Sequence, residues 1–182
     1  MMVSMIVNPV SGALADEDLL VAFANTGHEG PDELADLAGL RRWAAEVGLP
    51  HADGRAREDL DRVHAIRQTV RNLLLTQNGV DVEVDTRILE AIPLRLRFDG
   101  SVGVQAADRT SVTGAVAGSI GAALVRASAR PGWTRLKACP GPGCEFAFRD
   151  ETRNGSRRWC VMSGCGNRAK GAAFRARASR DR

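Results

Sequence analysis

Four cysteines in a short C-terminal stretch constrain the fold of this chain more than any other feature. They are Cys139, Cys144, Cys160 and Cys165, spaced as C-x4-C-x15-C-x4-C. Two short loops that each carry a pair of thiolates, separated by a segment long enough for a hairpin, can place four sulfurs around one zinc ion. Because four protein ligands leave no position for water, the spacing predicts one structural Zn²⁺ and no catalytic metal.

The residues around the cysteines support this interpretation. The first pair encloses the Pro/Gly-rich loop CPGPGC, and the second pair, in CVMSGC, has Gly164 directly before its last cysteine. Between the pairs, Phe146 and Phe148 alternate, Asn154-Gly155 offers a hairpin turn, and Trp159 precedes the third cysteine. We expect these aromatic residues to form a small hydrophobic core in a segment that is too short to fold without a structural metal or disulfides.

Three other uses of the thiols stay open from the spacing alone: two disulfides, a redox switch and an iron–sulfur cluster. Disulfides need an oxidising compartment, and the N-terminal MMVSMIVNPVSGAL lacks the basic start and long apolar core of an export signal. The longest weakly polar run, residues 112–125, is too short to cross a bilayer. We therefore expect a cytoplasmic protein that has reduced thiols and no membrane partner.

The hydrophobic pattern predicts an α+β fold in two parts. Residues 1–130 form a mostly helical domain with a small antiparallel sheet, and residues 131–182 form a four-cysteine zinc finger made of a hairpin and a helix. In the first part, the apolar run DLLVAFANT predicts a strand over 18–26 that leads into a loop. Apolar residues at helical spacing then predict two helices, one from Pro31 to Gly48 and one over 55–76, which Asn78-Gly79 ends.

Further elements follow before the cysteines. Asp85 is expected to cap a short helix, and LRLRFDGSVGV (94–104) carries the strongest hairpin signal in the chain, with Asp99-Gly100 as its turn. A helix is predicted over 113–129, in which several glycines give a thin face suited to close packing. The segment ARPGW (129–133) is typical of a linker and leads into the finger.

Charge is distributed unevenly along the chain. Residues 131–182 contain twelve Lys or Arg and four Asp or Glu, a balance of +8, whereas residues 1–130 carry a balance of −5. A strongly basic end on an acidic body indicates that the basic end meets a polyanion. The residues that we expect to contact DNA are Arg153, Arg157, Arg158, Asn167, Arg168, Lys170, Arg175 and Arg177.

A helix beginning near Asn167, a good N-cap residue, would place Arg168, Arg175 and Arg182 within about 40° of one another among small residues. Phe174 would then turn toward the finger. Other roles stay open: Asn167 also fits a plain helix cap, Arg158 and Arg168 fit the neutralisation of a metal–thiolate cluster, and the last arginines fit a solvated tail.

The stretch CPGPGCEFAFRDETRNGSRRWCVMSGCGNRAK resembles the zinc finger of the bacterial CGNR family, whose tetrapeptide stands here at residues 165–168. The N-terminal LLVAFANT…LADLAGLRRWAAEVGL is similar, more loosely, to the ABATE domain that usually precedes this finger. The resemblance implies a stress-induced transcriptional regulator. One departure is Ala22, where the family pattern has an acid, so any site lined by that acid is altered here.

A ligand-sensing or dimerising role is expected for the first domain, with Asn25, Thr26, Arg41 and Trp43 as candidates for the edge of a pocket. The plainer interpretation makes Asn25-Thr26 a strand-end turn and Trp43 a core residue. No catalytic motif is recognisable, so we do not expect an enzyme. The predicted function is DNA-binding regulation; the alternatives are a finger that binds protein or RNA, and a catalytic first domain with an accessory finger.

Overall fold

The computed structural model describes residues 14–28, 30–49 and 57–180, with the side chains of 179 and 180 left undescribed. The elements in chain order are α1 (Asp16–Asn25), α2 (Leu37–Glu46), α3 (Leu60–Gln77), α4 (Thr86–Glu90), β1 (Leu94–Phe98), β2 (Val102–Ala106), α5 (Val112–Ser128), β3 (Leu136–Ala138), β4 (Ala147–Arg149) and α6 (Asn167–Arg180). We call residues 14–128 the helical body and residues 136–166 the finger. The α+β prediction is confirmed.

The strand predicted over 18–26 is wrong, because this segment is the helix α1. A short continuous apolar run does not distinguish a buried strand from a buried helix. Its buried residues Leu19, Leu20, Phe23 and Ala24 recur at helical spacing, and three acids occupy the first turn, where the helix dipole favours negative charge. The acidic residues at the start of the segment, rather than its apolar run, indicated a helix.

Helix α2 is confirmed, but it begins at Leu37 and not at Pro31. Asp36 caps it by accepting a hydrogen bond from the backbone N–H of Gly39 at 2.7 Å. The predicted end is correct, since Gly48 adopts φ +73°, a left-handed conformation that glycine tolerates without strain.

Helix α3 begins at Leu60, where Asp59 accepts a hydrogen bond from the backbone N–H of Arg62. The predicted start near Arg55 lies outside the described residues. The predicted end is confirmed: Asn78 is the C-cap and Gly79 follows with φ +74°.

The hairpin β1–β2 is confirmed and is antiparallel, with Leu94 opposite Ala106 and Phe98 opposite Val102. The hairpin base packs on α5, where a side chain at Gly118 would bring its Cβ within 2.4 Å of the Ala106 Cβ. The glycine-lined face of α5 therefore serves close packing, as predicted. Toward the tip, Phe98 and Val102 are exposed.

The main hydrophobic core joins the helical body to the finger. Leu136 and Ala138 of β3 and Ala147 of β4 are buried in the same cluster as Phe23 of α1 and Val70 of α3. The division at residues 130 and 131 stays a prediction, although the finger's ribbon shares the body's interior. Within the described ranges, no helix is both long and apolar enough to cross a membrane.

Candidate metal centre

The four cysteine sulfurs lie together, all within 4.8 Å of one another. The sulfur atoms of Cys144 and Cys160 are 3.5 Å apart, and those of Cys160 and Cys165 are 3.7 Å apart. A zinc ion bound at about 2.3 Å by four thiolates in a tetrahedron requires sulfur–sulfur distances of about 3.8 Å. A disulfide requires about 2.05 Å, and all four cysteines are free. The donor set and its spacing fit one structural zinc ion.

The first pair of ligands is positioned by a tight loop after β3. Cys139 follows that strand directly, and the backbone N–H of Cys144 donates to the carbonyl of Gly141 at 2.8 Å. A Cβ at Gly141 would lie 2.9 Å from the Cys165 sulfur, so only glycine allows the two halves of the site to approach this closely.

The last ligand, Cys165, lies on a turn of π-helix, Met162–Gly166, that continues directly into α6, and Cys160 precedes this turn by two residues. A Cβ at Gly166 would lie 3.2 Å from the Trp159 ring and 2.4 Å from the sulfur of Met162, an exposed side chain that can move aside. Helix α6 begins at Asn167, as predicted, but Asn167 does not act as its N-cap: the chain is already helical from Met162, and the Asn167 amide donates to the Ser163 carbonyl at 3.3 Å.

The thiols differ in acidity because their surroundings differ. Burial raises the pKa of Cys144 to about 11, and it also raises the pKa of Cys160. The pKa of Cys139 is lowered: burial acts to raise it, but the backbone N–H groups of Cys160 and Gly141 bond to the sulfur and outweigh burial. A divalent cation between the sulfurs favours the thiolate form of its ligands, which is the form that binds zinc.

Two arginines expected to contact DNA also support this centre. Arg168 donates to the Cys165 sulfur at 2.9 Å, which is the geometry of charge neutralisation weighed from the sequence. Arg157 donates to the carbonyls of Trp159 and Cys160, and its guanidinium lies 4.5 Å from the centre of the Phe148 ring. The aromatic residues of the predicted small hydrophobic core, Phe146, Phe148 and Trp159, do pack around the cysteines.

Comparison with known families agrees with these features. The family model for ABATE, described as "Putative stress-induced transcription regulator", matches residues 17–139. The CGNR zinc finger model matches residues 135–178, so the two matches overlap at residues 135–139, which include β3. The chain belongs to the ABATE family. A search of curated proteins found no match.

The remaining DNA-contact candidates of this ABATE protein lie at the surface. Arg153 and Arg158 are exposed on the finger, and Lys170, Arg175 and Arg177 are exposed on α6. Phe174 does not turn toward the finger as predicted, because 67% of its surface is exposed. Arg182, the third member of the predicted arginine stripe, lies outside the described residues.

The four candidates for a ligand pocket are not brought together around a cavity. Thr26 is buried and accepts a hydrogen bond from Arg67, Trp43 is buried with its ring 5.6 Å from that of Phe23, and Arg41 pairs with Glu58 at 3.5 Å. The Asn25 side chain hydrogen-bonds to the backbone of Ala147 in β4. Their ligand-binding role stays an untested prediction. A cavity of about 200 Å³ lies elsewhere, between α1, β2 and α5, and its walls include Leu19, Ala106, Ala122 and Arg126.

Sequence reasoning missed a buried ion pair inside the finger. The Lys137 amine donates to the Asp150 carboxylate at 2.7 Å and to the carbonyls of Gly155 and Arg157. Asp150 is fully buried and also accepts hydrogen bonds from Thr152 and from the backbone of Arg157. Burial acts to raise the pKa of Asp150, but the bonds to Lys137 and Thr152 lower it to about 2. The pair fixes the loop between β4 and the second pair of cysteines.

Proposed function

We propose that this ABATE protein is a DNA-binding transcriptional regulator of the cytoplasm that contacts duplex DNA mainly through α6. The observation that carries the proposal is the surface of that helix. Arg168, Lys170, Arg175 and Arg177 are exposed, and so is the only large apolar residue of the described helix, Phe174. A helix of about four turns that presents cations and small residues to solvent is suited to a polyanionic partner.

The spacing of the cations suits a groove. At 100° per residue, Arg168 and Arg175 lie about 20° apart on one ridge, and Lys170 and Arg177 form a second ridge about 160° away. Ala172, Ala173 and Ala176 lie between the ridges on one side. A helix of about 10–12 Å diameter fits the major groove, which is about 12 Å wide, so the two ridges can reach phosphates on both walls.

The metal centre supplies the rigidity that this contact needs. The π-helical turn that carries Cys165 runs into α6 without a break, and Arg168 of the helix bonds to that ligand. Arg153 and Arg158 of the finger add cations to the same basic part of the chain. The arrangement favours regulation over catalysis, because a site with four protein ligands holds no substrate position. The proposal includes neither an effector nor a dimer.

Salt-dependent binding tests the proposal. We expect fluorescence anisotropy with a labelled duplex to give a log–log slope of about −4 against salt concentration, which corresponds to about four phosphate contacts. The double variant Lys170→Ala/Arg177→Ala should reduce the slope by about 2 and keep its zinc. Arg87→Ala is the matched control, since Arg87 is 85% exposed but lies on α4 of the acidic body.

The outcomes separate this proposal from its rivals. Equal affinity for duplex DNA, hairpin RNA and single strands would favour a general nucleic-acid or RNA-binding finger. No binding to any of them would leave a protein-binding finger as the better interpretation. If Arg87→Ala reduced the salt slope as much as the double variant does, α6 would not be the DNA-contacting element.

A further inference from the structure

Side-chain amides of the helical body hydrogen-bond to the finger's backbone at several points. The Asn25 amide donates to the Ala147 carbonyl at 2.9 Å and accepts from the Ala147 N–H at 2.7 Å, so it pairs with β4 as a neighbouring strand would. The Gln77 amide, with its nitrogen turned toward the carbonyls, donates to Trp133 and Leu136. These contacts attach the ligand-bearing ribbon to α1 and α3.

Asn78 makes the contact nearest to the metal ligands. Its amide nitrogen donates to the carbonyl of Ala138 at 2.8 Å and to the carbonyl of Arg158 at 2.7 Å. Ala138 directly precedes Cys139, and Arg158 lies two residues before Cys160. One amide from the helical body therefore ties together the two chain segments that bring the first and third ligands to the metal.

The position of this amide is fixed from the body side. Asn78 is the C-cap of α3, and its own backbone N–H bonds to the carbonyls of Leu75 and Thr76. The last turns of α3 are anchored by Leu74, which is fully buried, and by Leu75. The amide therefore reaches the finger from a rigid support.

We infer that Asn78 is an outer-shell residue of the zinc centre and that the two hydrogen bonds it donates couple zinc affinity to the folding of α3. Residues that orient metal ligands from outside the coordination sphere contribute about 10–100-fold to metal affinity. Because an ion that binds only the native arrangement stabilises it, removal of zinc should loosen the end of α3 as well as the finger. This coupling does not depend on DNA binding.

Chelator competition on the full-length protein tests the inference. Asn78→Ala should raise the apparent Kd for Zn²⁺ by about 10–100-fold. Asn78→Asp, which keeps the shape but cannot donate, should behave in the same way. Thr76→Ala is the matched control on the same helix, because the Thr76 hydroxyl donates to the Leu73 carbonyl at 2.7 Å, within α3 itself. An Asn78→Ala Kd within about threefold of the control would overturn the inference.

Hydrogen–deuterium exchange on the unsubstituted protein keeps the test valid if the variants do not fold. Chelation of zinc should speed amide exchange at the end of α3, including the N–H groups of Asn78 and Gly79, and at the Ala147 N–H that bonds to Asn25. The turn after α2, at Gly48, serves as an internal reference. Equal exchange with and without metal at the end of α3 would show that the body does not sense the zinc centre.

Discussion

In the helical body the interior consists of aliphatic and aromatic side chains from four helices, whereas the finger's own buried cluster consists of Cys139, Cys165 and Phe148. The body can bury enough apolar surface to fold by the hydrophobic effect. The finger cannot, and it adds a metal centre and a buried ion pair between Lys137 and Asp150. Because of this difference, the loss of one polar group should lower the free energy of unfolding more in the finger than in the body.

The largest effect is expected from a ligand. Cys165→Ser removes one sulfur and the acceptor of the Arg168 hydrogen bond, so the protein should lose stoichiometric zinc, measured by elemental analysis. Circular dichroism should report loss of α6 helix, and thermal denaturation should report a lower melting temperature for the body too, because β3 and β4 share its core. A variant that melts like the original protein after losing its zinc would show that the two regions are independent.

A smaller effect is expected at the buried ion pair. Lys137→Met leaves the Asp150 carboxylate buried without its cation, which costs about 3–5 kcal/mol of unfolding free energy in urea denaturation. The double variant Lys137→Met/Asp150→Asn should recover part of that loss. A cost below about 1 kcal/mol would mean that the hydrogen bonds from Thr152 and Arg157 alone hold the carboxylate.

The smallest effect is expected at the body's ion pair between Asp32 and Arg67. The bidentate hydrogen bond with Arg67 lowers the pKa of Asp32 from 3.8 to about 2, and the Asp32 side chain is 31% exposed. Asp32→Asn should therefore cost at most about 2 kcal/mol at pH 7, since one pKa unit corresponds to about 1.4 kcal/mol.

The pH dependence of that pair provides its check. Because the folded-state pKa of Asp32 is lowered, the pair's contribution is complete above about pH 4 and is lost as the pH falls toward about 2. The difference in urea midpoint between Asp32→Asn and the original protein should stay constant from pH 7 to pH 5 and shrink between pH 4 and pH 3. A difference that persists unchanged to pH 3 would assign the effect to packing and not to charge.

Local chemistry explains what could be predicted from the sequence. The cysteine spacing predicted the metal centre, because ligand loops are short and their geometry is set by adjacent residues. The Asp99-Gly100 turn and the glycine after α3 marked element ends for the same reason. The α1 segment failed, because its apolar run suits either a strand or a helix until the rest of the core is known.

Contacts between distant segments could not be predicted. Lys137 and Asp150 lie in a short hairpin where polar residues are usually exposed, and only their fully satisfied hydrogen bonds make them an interior pair. Asn78 is typical of a residue that ends a helix, and its link to Arg158 spans 80 positions of the chain. Such roles depend on how elements meet in space, which one sequence does not encode locally.

The sharing of β3 and β4 between the finger and the body has a practical consequence for fragments. A peptide that starts at residue 131 would carry Leu136, Ala138 and Ala147 into water without the helices that cover them. Such a peptide, even fully loaded with metal, should self-associate in dilute buffer. Fragments of such a protein should therefore keep the helical body and the finger together. Their ends should lie before α1 or after α6, and not in the proline–glycine segment at residues 129–133.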